Sequence, residues 1–239
     1  MKRLATVLAA AVALAAGEAA AGPGDCYGDS FRASAELRAA VVRNDAPRVN
    51  FVKNVATRVG CPAATEACRE RAYLIPGNGI VVGEEVGGFR CAVYLAGNGQ
   101  ARAGWLPAAA LMLIPPANTP DWTGRWTAGP EQTITITQND NREWVLEGEA
   151  TYGASDPERV RRGSVNMGNF NAAVRRDEVQ AGTFMAFTEG PNGTLAFDTG
   201  DEGLCRVSLR LVGPWMVVTD NGSCGGHNVS FSGIYRQSR

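Results

Sequence analysis

Apolar and polar positions alternate with a period of two along most of the chain. Val207, Leu209 and Leu211 alternate with polar neighbours, Trp215 to Thr219 is β-branched or apolar throughout, and Val229, Phe231 and Tyr235 alternate again. Gly213-Pro214 and Asp220-Asn221-Gly222 punctuate these runs, which is the signature of hairpins rather than helices. Upstream, Gln132 to Gln138 alternates isoleucine with hydroxylated residues, and Asn139-Asp140-Asn141 reads as a turn. Glu143 to Tyr152, Gly182 to Thr188 and Leu195 to Asp198 are further strand candidates. With the opening Trp122-Thr-Gly-Arg-Trp126, residues 122–239 supply about eight short strands, as an antiparallel barrel or sandwich requires. Ser155 to Val179 breaks the pattern. It is charged and aperiodic, with Arg159, Arg161, Arg162, Arg175 and Arg176, and reads as a long loop.

The first half repeats the β signal at smaller scale. Val49 to Val55 alternates, Tyr73-Leu-Ile runs into the turn Pro76-Gly77-Asn78-Gly79, and Ile80-Val-Val follows as a short buried strand. Phe89 to Leu95 and Ala101 to Leu106 flank Asn98-Gly99, and Leu111 to Ile114 closes the unit. Residues 48–114 therefore predict a small β-barrel. The short strands, the Gly-rich central turn and Gly104-Trp105-Leu106 followed by Leu111 resemble bacterial SH3-like domains. The resemblance implies binding of cell-wall peptide or polysaccharide, or a protein-contact role. This copy departs from the pattern by the cysteine-bounded insertion Cys61 to Cys68. Residues 115–121, Pro-Pro-Ala-Asn-Thr-Pro-Asp, read as a semi-rigid linker and domain boundary, with few apolar residues to bury an interface. Each half is thus expected to fold as its own module. Ahead of them, residues 22–47 predict a short helix over Phe31 to Arg43, with Leu37, Ala40 and Val41 at helical spacing.

Residues 1–21 have the layout of a secretory signal peptide. Lys2 and Arg3 precede the apolar run Leu4 to Ala16, and Ala19-Ala20-Ala21 offers the cleavage site. The run is too short to cross a bilayer, no later segment is long and apolar enough, and Pro23-Gly24-Asp25 before Cys26 disfavours lipidation. A periplasmic or secreted location follows. Six cysteines in an exported chain with a single histidine favour disulfides over metal chemistry. Several pairings are open; Cys205–Cys224, Cys61–Cys68 and Cys26–Cys91 keep each pair within one half. Removing residues 1–21 deletes Lys2, Arg3 and Glu18 and moves the formal net charge from −1 to −2. Such a chain has no global attraction for nucleic acid or anionic membranes.

Candidate chemistry is sparse. His227 would have to serve any Ser-His-Asp or Cys-His device; Asp220 and Ser223 are near in sequence, but no Gly-x-Ser-x-Gly elbow occurs. Glu147 and Glu149 share one face of a strand, where a solvated acidic edge is commoner than a glycosidase pair. Gly77-x-Gly79 lacks the rest of a dinucleotide motif, and the loop Asp198-Thr-Gly-Asp-Glu-Gly203 has the wrong offsets for an EF-hand. No cofactor or metal is expected. Trp122, Trp126, Trp144 and Trp215 read as core. Trp105 with Tyr94 is the candidate ligand platform of the first module, and Arg159, Arg161 and Arg162 are further candidate contacts.

The ending Cys224-Gly-Gly-His-Asn-Val-Ser-Phe-Ser-Gly-Ile-Tyr-Arg236 resembles the C-terminal module of uncharacterised secreted proteobacterial proteins. The second module also resembles the small periplasmic lysozyme-inhibitor barrels in size and disulfide style. The sequence thus points to an all-β, two-module, non-enzymatic periplasmic or secreted binding protein that contacts envelope glycan, peptide or another protein. A carboxylate-based envelope hydrolase and a lysozyme inhibitor are the alternatives.

Overall fold

The structure is a computed structural model describing residues 25–97 and 99–238. The signal-peptide reading of residues 1–21 lies outside them. Seven strands make the first sheet: β1 (Arg38–Val42), β2 (Val49–Val52), β3 (Arg69–Leu74), β4 (Gly79–Val86), β5 (Phe89–Leu95), β6 (Ala101–Pro107) and β7 (Leu111–Leu113). They are antiparallel in the order β3-β2-β6-β5-β4-β1-β7 and curl into a half-barrel. Residues 115–121 carry no strand or helix. The second sheet contains β8 (Gly124–Thr127), β9 (Gln132–Gln138), β10 (Glu143–Tyr152), β11 (Asn166–Arg175), β12 (Phe184–Gly190), β13 (Gly193–Ala196), β14 (Arg206–Val212), β15 (Trp215–Asp220) and β16 (Gly233–Gln237). Its order, β11-β10-β9-β8-β16-β15-β14-β12-β13, wraps into a nearly closed barrel. Among the described residues one short α-helix, α1, spans Pro157–Arg161, with Asp156 accepting from the Glu158 N–H at its start. The all-β, two-module architecture expected from the alternation is the one observed.

Two segments differ from their sequence reading. Phe31 to Arg43 is not a helix: residues 38–42 are β1, paired with β4 and β7. A short apolar run does not distinguish helix from buried strand by spacing alone. Here Ala40 and Val42 enter the first core while Ala39 faces the other way, so both faces are buried. Nor is Ser155 to Val179 one long loop. Its second half is β11, in unbroken register with β10 from Glu143↔Arg175 to Tyr152↔Asn166. Phe170, Ala172 and Val174 do alternate inward, but two of the three are small or ordinary beside the charged residues that dominate the segment. The second sheet therefore has nine strands.

The barrel interior is filled by side chains. Ile134, Ile136, Leu146, Phe187, Val207, Leu209, Met216 and Val218 form one cluster with Trp122, Trp126 and Trp144. Phe170 sits at its centre, 4.8 Å from the Phe231 ring and 5.5 Å from Phe187. It faces Gly148 across the β10–β11 ladder, where a Cβ would lie 2.2 Å from Phe170 Cε1, so only glycine admits the ring. Three buried polar tips find partners: Trp122 Nε1 donates to the Gly182 carbonyl (3.0 Å), Trp126 Nε1 to the Trp122 carbonyl (2.9 Å) and the Tyr235 hydroxyl to the Phe231 carbonyl (2.8 Å), whereas the buried Thr188 hydroxyl has none among the described residues. Along the seam the backbone of β11 is capped rather than laddered. Asn171 N–H donates to Glu189 Oε1 (2.9 Å), Ala173 N–H to Thr194 Oγ1 (2.7 Å), and Gly226 N–H to the Met167 carbonyl (3.0 Å).

Three disulfides join Cys26–Cys91, Cys61–Cys68 and Cys205–Cys224, the pairs expected from confining each bond to one half. They fit an oxidising compartment. No helix among the described residues is long and apolar enough to cross a membrane.

The two sheets are not independent, which corrects the expectation that little apolar surface joins them. Strands β14 to β16 bury both faces. Val207, Leu209, Met216, Val218 and Tyr235 point into the barrel, while Val212, Trp215, Val217 and Ile234 pack with Ala39, Val81, Val93 and Phe31 of the first half in a shared core. Polar bonds frame this junction. Ala33 N–H donates to Thr219 Oγ1 (2.9 Å), the Arg236 guanidinium donates to the Leu95 and Ala96 carbonyls, and Arg210 Nε donates to the Ala33 carbonyl. Burial lowers the Arg210 pKa, against the attraction of Glu36, and its guanidinium stacks 4.8 Å from the Phe184 ring.

Candidate functional site

The residues singled out from sequence do not assemble. Trp105 is fully buried beside the Cys26–Cys91 bond, on the junction face of β6. Tyr94 lies on the opposite face, packed against the first module's own core. Cys91 pairs with Trp105 and Tyr94 with Arg102, three positions along β5, so alternation separates the two aromatics. They form no common platform. Arg159 stacks 4.6 Å from the Tyr152 ring and donates to the Ser164 carbonyl (3.2 Å), and Arg161 pairs with Glu158 one turn away. Both guanidiniums tie down their own loop, and with Arg162 they line none of the hollows described below.

The catalytic candidates are likewise apart. Asp220 is engaged by the 230–232 segment: its Oδ1 accepts from the Ser230 hydroxyl (2.7 Å), the Ser232 hydroxyl (2.5 Å) and the Ser232 N–H (2.9 Å). His227 is exposed, and its carbonyl accepts from the Asn166 carboxamide (2.7 Å). Glu147 and Glu149 face solvent on β10. In the 198–203 loop, the Arg206 guanidinium donates to the Gly200, Asp201 and Glu202 carbonyls, occupying the oxygens a cation would use. Among the described residues no free cysteine and no metal-sized group of ligands occurs.

Hollows remain at several places among the described residues. Two open clefts, of about 670 and 760 Å³, flank the barrel seam and meet at Met167 to Asn169. Their floor is glycine backbone: a Cβ on Gly168 would lie 2.3 Å from the Cys224 carbonyl oxygen. On their rim burial raises the Glu131 pKa, but the Ser155 and Gly153 N–H groups bonded to its carboxylate outweigh this, and the net shift is downward.

The second place is a narrower groove of about 320 Å³ in the first module. Its floor is Val49, Val52, Phe89 and Pro107, and one wall is the Cys61–Cys68 loop through Ala63 and Ala64. Arg48 and Arg69 stand at its mouth. Arg69 is paired with Glu66 (2.5 Å), whereas the Arg48 guanidinium stacks 4.3 Å from the Tyr73 ring and has no carboxylate partner among the described residues. The cysteine-bounded segment Cys61 to Cys68 thus builds a wall of this groove. Sequence reasoning missed Arg48, Phe89 and Pro107, because they lie far apart along the chain and meet only through the sheet order; the single hint was the insertion itself. The third hollow, of about 470 Å³, opens at the junction of the two sheets.

Comparison with family models, with curated proteins and with solved structures gives no significant match.

Proposed function

We propose that the protein is a non-enzymatic binding protein of the periplasm or cell exterior, and that the groove beside the Cys61–Cys68 loop holds a carboxylate-bearing peptide segment of the cell envelope. One observation carries this reading: an apolar floor with a guanidinium fixed at its mouth and left without an anion. Stacking on Tyr73 holds the guanidinium in place, where its N–H groups donate to a carboxylate in a forked geometry. Val52, Phe89 and Pro107 supply the apolar contact. Both sheet cores are filled, so recognition takes place at the surface. The signal-like leader and three disulfides support export, and the SH3-like likeness agrees with an envelope ligand.

Co-sedimentation of the mature protein with purified sacculi tests the proposal. Retention that falls roughly tenfold in Arg48→Glu, with no release of labelled peptidoglycan, is the expected result; that loss is what removing a charge-assisted fork costs. Absence of retention, or retention indifferent to Arg48→Glu, refutes the groove. Release of label would instead establish a hydrolase, and inhibition of added lysozyme an inhibitor.

A further inference from the structure

We infer a second ligand site, independent of the groove, in the crevice between the two sheets, for a primary ammonium carried on a small apolar body. Phe31, Val93 and Ile234 form its floor, from three separate parts of the chain, and Asp220 and Ser232 stand on its wall. Hollows between packed units, apolar with a few fixed polar groups, are the usual form of small-molecule sites. Asp220 is preorganised. Three donors fix its Oδ1, and its Oδ2 accepts only the Gly222 N–H (3.2 Å), leaving a lone pair. No ion pair joins Asp220 to a cation among the described residues. A carboxylate so held beside buried aliphatic side chains favours an N–H cation over water, and every donor that orients it comes from the chain itself. The floor, drawn from both sheets, is completed only when they dock, so a bound ligand clamps the junction.

The test uses the full mature chain and benzylamine, with the methyl signals of Val93 and Ile234 followed by NMR, one on each side of the crevice. Saturable shifts at both methyls, a raised melting temperature, and binding weakened roughly tenfold in Asp220→Asn are expected, since loss of a charge-assisted hydrogen bond has about that effect. Ala101→Phe, at an exposed position on the crevice wall, fills the space without touching Asp220 and should abolish the shifts. Benzyl alcohol shifting the methyls as strongly as benzylamine overturns the proposal. So does equal binding to Asp220→Asn, or no saturable shift up to the solubility of the amine. None of these outcomes bears on the Arg48 groove, whose test is separate.

Discussion

Trp215 is the keystone of the junction, and a double-mutant cycle across the junction measures its part. The side chain is 7 % exposed and rests on Gly79 of β4 in the other sheet, where an added Cβ would lie 2.8 Å from its Cη2. The backbone of Gly79 is not left-handed, so Gly79→Ala meets only the indole. Replacing a buried tryptophan by alanine costs about 3–5 kcal/mol. At roughly 2–4 °C per kcal/mol for a chain of this size, Trp215→Ala should lower the melting temperature by about 6–20 °C. Gly79→Ala alone overpacks the contact and should cost about 1–3 kcal/mol. In the Trp215→Ala background the same substitution should cost nothing, or stabilise by about 0.5–1 kcal/mol, because glycine weakens a strand interior. Urea unfolding of the four proteins gives the coupling energy directly. Additive effects would refute the docking of Trp215 on Gly79, and with it the claim that the two sheets share a core.

The other expectations concern single elements. Residues 119–239 expressed alone should be poorly soluble, because Val212, Trp215, Val217 and Ile234 would form an exposed apolar patch; a soluble, cooperatively melting fragment would contradict this. Cys205→Ala/Cys224→Ala opens a loop with a sequence separation of 19 and should lose about 3 kcal/mol in chain entropy, read as a lower denaturant midpoint. Gly148→Ala should cost more than any surface substitution on β10, since Phe170 has no other place for its ring; an unchanged melting temperature would count against the assigned β10–β11 register. Burial, with a smaller push from Asp220, raises the Tyr235 pKa well above its ordinary value. Its folded form resists ionisation, so the stability it supports is complete below the unfolded value of about 10 and is lost as pH rises beyond it. Tyr235→Phe should flatten the alkaline unfolding curve while lowering neutral stability through the lost bond to Phe231; a curve as steep as that of the parent protein would refute the assignment.

Much of the fold was legible because period-two alternation survives wherever one face of a strand meets solvent. Strands β9 and β10 show it residue by residue, Ile134 and Ile136 inward against Thr133, Thr135 and Thr137. The pattern failed where one side chain had to serve a local purpose. In β11 the inward positions are Gly168, Phe170, Ala172 and Val174 and the outward ones Asn169, Asn171 and Ala173. Glycine is required at 168 by the close approach of the Cys224–Gly225 backbone, and alanine at 172 leaves only two large apolar residues to mark the strand. In β1, Arg-Ala-Ala-Val-Val carries no alternation at all, because Ala39 and Ala40 are buried on opposite faces. The groove was illegible for a different reason. Arg48 precedes β2, Phe89 opens β5 and Pro107 ends β6, and only the β2-β6-β5 order brings them to one end of the sheet.

The junction, by contrast, was written in the sequence in a form that is easily taken for something simpler. Trp215-Met-Val-Val218 is a continuous apolar run, and a strand in an antiparallel barrel that faces water on its outer side has no reason to be apolar at every position. Four successive buried residues require a second layer against the outer face. The same requirement extends to its neighbours: Val212 ends β14 and Ile234 lies in β16, each on the face that the alternation of its strand reserves for solvent. Only another apolar surface can cover them, and among the described residues it is the outer face of β1, β4 and β5 that does so, through Ala39, Val81 and Val93. There Gly79 has no side chain where the indole lies, and Ala39 and Val81 pack in the same cluster. A proline-rich connection of seven residues between the sheets, read as a spacer, is then better understood as a strap between packed layers. The sheets are docked by Trp215 rather than by the linker, and lengthening residues 115–121 with a few Gly-Ser pairs should leave the melting temperature nearly unchanged, because loop-closure cost grows only logarithmically with length.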